Sequence, residues 1–207
     1  AGQQQIFNLL QIRPIIDNQD NRPIDWSKVD VSDALIYGEN ALGIGMMGDI
    51  ADIIYIKGDT FDSLSTEKIA EELLEFNNRM QDEKRSYILV GPGRWGSSDS
   101  ALGIPVRWAD ISGARLIAEA AVGSYCPEPS QGTHFFHNLT SFGVGYFTIA
   151  PGIDGAVYNA DALDALDAVY DDGLVRAVRL DGPLYIAING RKGVGVVATQ
   201  APAKNDI

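Results

Sequence analysis

Cysteine, histidine and basic side chains are all scarce in this sequence. Cysteine occurs once, at Cys126, so that no internal disulfide can form and a reducing cytoplasm is favoured. Lysine and arginine total 16 against 28 acidic residues, and the formal net charge of -12 argues against nucleic acid or an anionic membrane as the main partner. No apolar run approaches the ~20 residues that cross a bilayer. We therefore expect a soluble, cytoplasmic protein that meets any anion in a local pocket.

The remaining composition is that of a folded domain. The chain has 207 residues, 45% of them hydrophobic, which is enough for one sizeable core. It begins with a strand-like run, QQQIFNLLQIRPII, as if a longer protein had been cut just before a strand. The polar residues 17–33 are typical of a linker. We predict an isolated strand within residues 1–16, a β-rich mixed α/β domain over residues 34–200, and a short tail, 201–207.

Hydrophobic periodicity predicts a long helix after Ser65. Apolar residues recur at the spacing of 3.6 that places them on one helical face, and Ser65 is a suitable N-cap. The positions on that face are Ile69, Leu73, Phe76 and Met80.

Short strands account for much of the rest. Residues 34–58 alternate apolar runs with glycine turns, and YILVG at 87–91 and GYFTIA at 145–150 are also predicted strands. GARLIAEAA, 113–121, is compatible with strand or helix, and its branched centre favours a strand. Residues 135–142 are predicted to form a short helix stopped by Gly143.

The C-terminal third combines one more helix with hairpins. Asn159 and Asp161 are predicted to start a helix that runs through Leu163, Leu166 and Tyr170 and ends before Gly173. The strands AVRL, PLYIAING and GVGVVAT follow as β-hairpins, with a turn signal at residues 189–190.

Both histidines of the chain lie in one stretch, QGTHFFHNLTSF, as His134 and His137. A neutral imidazole can accept a phosphoryl group, take a proton or bind a metal. Gly132 and Thr133 precede His134 at a predicted helix start, where free N–H groups stabilise added phosphate charge. His137 lies about one turn later on the same face. Metal binding would need further ligands, and a structural role as capping groups is the third interpretation.

A glycine-rich loop, GPGRWGSSD at residues 91–99, is the second candidate. Its glycines let the backbone approach an oxyanion, Arg94 supplies charge, and Trp95 offers a flat surface. Alternatively, Arg94 forms a surface salt bridge and Trp95 packs in the core. The loop is not a Walker loop, because no Gly-Lys-Ser/Thr follows.

Two further groups of polar residues are weaker candidates than that loop. Arg107 and Trp108 repeat the Arg-Trp pairing without glycines around it, which favours a structural role. Asp99 and Asp110 could hold a divalent ion, but loop aspartates more often form turns.

Several segments in order resemble the phosphoenolpyruvate synthase and pyruvate phosphate dikinase family. LLQIRPI is similar to the Gln-x-Arg-Pro strand that closes the family's ATP-grasp domain. QGTH followed by Gly143 resembles the family's phosphohistidine signature, Gly-Gly-x-Thr-Ser/Cys-His, with a glycine nine residues later. Residues 35–56, 113–120 and 181–197 are similar to the opening strands, the strand before the histidine and the closing hairpin.

The resemblance implies a fold and a function. The fold is a swivelling β/β/α phosphohistidine domain preceded by the last ATP-grasp strand, and His134 carries phosphate from ATP to pyruvate or a similar acceptor. Gly132, Thr133, Arg94 and His137 are then phosphate-binding candidates. Gln11 and Arg13 become nucleotide-side candidates.

The resemblance also implies partners and cofactors. ATP and Mg²⁺ would be held mainly by an ATP-grasp domain outside these residues, the acceptor by another domain, and the chain alone would not turn over. Residues 6–16, separated from their sheet, are expected to pair with this domain or with a second copy, which would give a dimer.

Departures from the family motif keep a second hypothesis open. Phe135 and Phe136 stand where the family has two alanines. A degenerate, non-catalytic module that binds an anion or a partner is the alternative. A metal-dependent hydrolase using both histidines is a third.

Overall fold

A computed structural model describes residues 33–38, 40–121, 125, 139, 141–149 and 155–201. Within them the fold is mixed α/β and rich in β-structure, as predicted for residues 34–200. The predicted strand in residues 1–16 lies outside the described residues. So do the predicted linker, except for its last residue, Asp33, and the predicted tail, except for its first residue, Ala201. In chain order the elements are β1 (Ala34–Gly38), β2 (Asn40–Leu42), β3 (Ile44–Met47), β4 (Asp52–Ile56), α1 (Thr66–Asp82), β5 (Tyr87–Gly91), β6 (Arg94–Trp95), β7 (Gly103–Ile104), β8 (Ala114–Ala120), β9 (Gly145–Ile149), β10 (Val157–Tyr158), α2 (Ala160–Asp164), β11 (Ala168–Asp171), β12 (Val175–Arg179), β13 (Tyr185–Asn189) and β14 (Val194–Ala198).

A seven-stranded sheet forms the centre, in the order β11-β12-β4-β5-β8-β9-β2. The strands β4, β5, β8 and β9 are parallel neighbours, and the outer strands pair antiparallel. Parallel strands are covered on both faces and are therefore continuously apolar. The fully buried runs DIIYI and YILVG follow this rule, apart from Asp52.

A five-stranded antiparallel sheet, β10-β1-β14-β13-β3, covers one face of the central sheet. Ile88 and Val90 of β5 point into a core shared with Ile36, Ile186 and Val197 of the second sheet. Tyr87 and Leu89, which alternate with them, pack on the other face in a core with α1. The described residues thus form three layers: sheet, sheet and helix.

Helix α1 crosses between the parallel strands β4 and β5, and its predicted apolar face is confirmed. Ile69, Leu73, Phe76 and Met80 are all buried against the central sheet. The predicted capping bond is wrong: Ser65 occupies the N-cap position, but its side chain makes no capping hydrogen bond. Instead, a 3-10 turn at Ser63–Ser65 precedes the helix, and Asp62 caps that turn through the Leu64 N–H.

The second predicted helix is wrong over most of its length. Asn159 caps it as expected, but α2 ends at Asp164, and Tyr170 lies in strand β11. A tight turn explains the difference, because the Asp172 carboxylate accepts the N–H groups of Leu174 and Val175 while Gly173 takes a φ of 93°. Sheet pairing with β12 then overrides the helical period.

The closing hairpin between β13 and β14 is confirmed. Asn189 pairs with Val194, so that the loop holds four residues, and Gly190 donates its N–H to the Gly43 carbonyl, 2.8 Å away. AVRL contributes residues 177–179 to β12, which forms a hairpin with β11, as predicted, and also pairs with β4 in the central sheet. The strand assignment of β8 is also confirmed. None of the helices in the described residues has the length and apolar character to cross a membrane.

Candidate functional site

The carboxyl ends of β4, β5, β8 and β9 meet at one edge of the central sheet, which is where open parallel sheets bind ligands. Residues at or next to the last position of three of these strands lie side by side. Gly91 of β5 pairs with Glu119 of β8, and Glu119 pairs with Thr148 of β9. Asn40 of β2 extends the row beside Thr148. A polar row thus replaces the apolar interior at this edge.

Glu119 is the unusual member of the row. It is only 3% exposed and, by the alternation of the strand, lies on the same face as Ile117, the face covered by α1. A carboxylate is costly to bury unless hydrogen bonds or a charge compensate it. Glu119 was not among the residues predicted from the sequence, although one acidic residue in an apolar strand, LIAEA, was a usable signal.

The glycine loop after β5 packs over the Gly91 end of this row. A Cβ on Gly91 would lie 2.7 Å from the Trp95 ring and 2.9 Å from Ile56, so the indole occupies the space that any side chain would need. Trp95 is 2% exposed, which agrees with the structural interpretation of its role. Within the described residues its buried indole Nε1 has no hydrogen-bond partner. The Trp95 ring thus packs directly over the last residue of β5.

Arg94 is half-buried in the same loop. Its N–H donates to the Leu102 carbonyl at 2.8 Å, and β6 pairs with β7 so that Arg94 faces Gly103. A Cβ at Gly103 would lie 1.8 Å from the Arg94 carbonyl oxygen, so the loop can fold back on itself only with glycine there. Arg94, the predicted anion-binding residue, lies in the loop that follows the carboxyl end of β5.

Tyr125 ties the chain after β8 to this loop. Its hydroxyl donates to the Ser100 carbonyl at 3.1 Å, and its ring packs on Phe61 with centroids 4.8 Å apart. Burial, followed by the charge of Asp99, raises the pKa of Tyr125. The contact fixes one residue of the segment that leads from β8 to the histidines.

Most of the predicted site lies outside the described residues. This applies to Gln11, Arg13, Gly132, Thr133, His134 and His137. On the C-terminal side the described chain resumes with the helical residues 139 and 141–142, and Gly143 has a φ of 64°, consistent with the predicted helix stop.

The second Arg-Trp pair has a structural role. Arg107 donates to both carboxylate oxygens of Asp110, and this hydrogen bonding lowers the pKa of Asp110. Trp108 stacks on Phe142, with centroids 5.4 Å apart. Asp99 accepts the Ala101 N–H, as a turn-forming aspartate does. In the described part of the chain no three His, Cys, Asp or Glu side chains group as metal ligands.

The fold and the edge together define a layered, β-rich α/β protein with a polar site at the carboxyl ends of its parallel strands. Comparisons with protein-family models, with curated proteins and with solved structures found no match.

Proposed function

We propose that this chain is the phosphoryl-carrying domain of an ATP-dependent phosphotransferase that resembles phosphoenolpyruvate synthase. In this proposal His134 takes a phosphoryl group from ATP on a neighbouring domain and passes it to pyruvate or a similar acceptor. ATP and Mg²⁺ are held mainly by that neighbouring domain. The observation that carries the proposal is the buried Glu119 beside Gly91 at the carboxyl edge, on the strand from which the histidine segment departs.

Chain connectivity supports this assignment. Strand β8 ends at Ala120, Tyr125 contacts Ser100 directly after the glycine loop, and His134 follows nine residues after Tyr125. Nine residues span at most about 30 Å even when fully extended. In the proposal this length of chain is enough for His134 to reach Arg94 and the polar row.

Each group has a chemical role in the proposal. Glu119 accepts a hydrogen bond from the imidazole, which selects one tautomer and leaves the other ring nitrogen free to attack phosphorus. Arg94, Thr133 and the Gly132 N–H neutralise and orient the phosphate oxygens, because phosphoryl transfer depends mainly on positioning and charge. In the first step the P–N bond to His134 forms as the P–O bond to the departing nucleotide breaks. In the second step a P–O bond to the acceptor oxygen forms as the P–N bond breaks, which returns the imidazole to its free state.

Labelled ATP tests the proposal in the full-length parent protein. We expect label in the wild type and none in His134→Ala. His137→Ala removes an imidazole from the same segment but only a phosphate-binding candidate, so it should label more slowly than the wild type without losing the label altogether. An unlabelled wild type, or label that survives in His134→Ala, defeats the assignment of the carrier.

A degenerate module of the same fold is the second candidate. Phe135 and Phe136, beside His134, are the observation that favours it, since two large rings replace the family's small residues. This candidate predicts that the wild type takes no label but still binds inorganic phosphate or a partner domain. Loss of phosphate binding in Arg94→Gln would then place the anion site at the glycine loop.

A further inference from the structure

Two carboxyl groups meet between helix α1 and the turn that joins β11 to β12. The side chains of Glu72 on α1 and Asp172 in the turn are only 15% and 16% exposed. The Nζ of Lys68 lies between them, 3.2 Å from Glu72 Oε1 and 3.3 Å from Asp172 Oδ2. One largely exposed ammonium group therefore contacts two partly buried carboxyl groups.

The two acids differ in what surrounds them. Asp172 Oδ1 accepts the N–H groups of Leu174 and Val175 at 2.8 and 2.7 Å. Glu72 Oε2 is buried and, among the described residues, accepts no hydrogen bond. A proton on Glu72 would convert that oxygen into a donor toward Asp172, and hydrogen bonds to a charged acceptor are the strong ones.

The pKa directions agree with a proton placed on Glu72. Burial, followed by the hydrogen bond shared with Asp172, raises the pKa of Glu72. Burial acts to raise the pKa of Asp172, but hydrogen bonds from the Val175 N–H, from Glu72 and from other donors together lower it to about 2.

We propose that Glu72 and Asp172 form a proton-operated latch: a proton held by Glu72 fastens the β11–β12 turn to helix α1, and its loss loosens the turn. The latch does not depend on phosphoryl transfer by His134. It is a conformational device of the scaffold around the candidate site.

Contiguous contacts join the latch to the start of the histidine segment. The Thr60 hydroxyl donates to the Gly173 carbonyl, and the Lys57 N–H donates to the Leu174 carbonyl at 2.9 Å. Phe61, next to Thr60, packs on Tyr125. A loosened turn would therefore release one side of the β4–α1 loop, which supports Tyr125.

Several other charged groups surround the latch. Tyr170 of β11 lies near both acids and near Glu75, and burial first, then Glu72, raises its pKa. Hydrogen bonds to Glu72 and Asp172 raise the pKa of Lys68. The remaining cations nearby, Lys57 and Arg176, pair with Asp171.

The sign of the pH dependence follows from these directions. Because the folded pKa of Glu72 is raised, its contribution is fully present below the unfolded value of about 4.3 and is lost as pH rises through the folded pKa. The lowered pKa of Asp172 acts oppositely, since its contribution is present above about 3.9 and is lost as pH falls toward about 2. The latch is therefore tightest at mildly acidic pH.

A titration of the whole chain tests the latch. ¹³C NMR of the Glu72 carboxyl gives its pKa directly, and amide hydrogen exchange at Leu174 and Val175, corrected for the intrinsic rate, reports turn opening. Each unit of raised pKa corresponds to about a tenfold loss of protection on deprotonation. We expect this loss as pH rises through the measured pKa of Glu72.

Two variants isolate the proton. Glu72→Gln keeps a permanent N–H donor toward Asp172, so that protection at Leu174 and Val175 should no longer depend on pH in the range where Glu72 of the wild type titrates. Glu71→Gln, an exposed neighbour on the same helix, should titrate like the wild type. The latch is overturned by an ordinary glutamate pKa at Glu72, by protection that does not change through its titration, or by an equal change in Glu72→Gln.

Discussion

Gly91 and Glu119 are direct partners across the parallel strands β5 and β8, so that a residue without a side chain stands beside a buried carboxylate. The space over Gly91 is filled by Trp95, whose ring comes from the loop that β5 enters. This arrangement leaves Glu119 covered on the β5 side. On its other side it adjoins Thr148, at the edge where the chain departs toward the histidines.

The close approach at Gly91 predicts a cost for any added side chain. Gly91→Ala places a methyl group 2.7 Å from the Trp95 ring and 2.9 Å from Ile56, and overpacking of this kind costs about 1–3 kcal/mol. Urea unfolding should show that loss. Gly48→Ala is the control, because no atom lies within 4 Å of its Cβ position, and it should stay within about 0.5 kcal/mol of the wild type. Equal stability of the two variants contradicts the packing described.

The carboxylate of Glu119 should matter for phosphorylation more than for folding. Glu119→Gln keeps the side-chain shape, and we expect labelling of His134 to slow by about two orders of magnitude because the tautomer is no longer fixed. The thermal midpoint should remain close to that of the wild type. Glu67→Gln, an exposed site on α1, is the control and should label normally. Unchanged labelling in Glu119→Gln removes this residue from the mechanism.

The opposite edge of the central sheet contains a stabilising ion cluster. Asp52, 3% exposed at the start of β4, accepts from Arg85 at 2.8 Å and from Arg179 at 2.5 Å. Asp52→Asn removes the carboxylate that Arg85 and Arg179 share, while Arg179 keeps its contact with Glu83 at 2.9 Å, and should lower the unfolding free energy by about 1–3 kcal/mol. Asp59→Asn, which is exposed, should have little effect. A stable Asp52→Asn protein would show that the cluster contributes nothing net.

Residues 6–16 are predicted to add a strand to an exposed sheet edge of this chain or of a second copy. Paired amides exchange slowly, so hydrogen exchange should show protection across this segment. Light scattering then separates the two arrangements, since only pairing between copies gives a dimer that is lost on deletion of residues 1–16. Fast exchange throughout the segment refutes both arrangements.

Periodicity was a good guide where one interaction dominated. The apolar face of α1 follows from Ile69, Leu73, Phe76 and Met80, because a long helix on a sheet needs one continuous stripe. Tyr170 was misassigned, since the same 3.6 spacing occurred where the Asp172 turn and pairing with β12 favour a strand. The spacing of apolar residues in one segment does not show which distant strand that segment will pair with.

The site was predictable only in part. Arg94 and the glycine loop were identified from composition, and the structure places them at the carboxyl end of β5. Glu119 was missed because a single charge inside an apolar run is meaningful only when register puts it beside Gly91 and Thr148. Register depends on how distant strands pair, which the sequence pattern does not reveal.

The most direct measurement of the central claim is the location of phosphate after the full-length parent protein is incubated with ATP and Mg²⁺. Peptides prepared at alkaline pH, where phosphoramidates survive, should carry an acid-labile phosphate on His134 and none on His137. An absence of phosphate, or its placement on any other residue, would contradict the account.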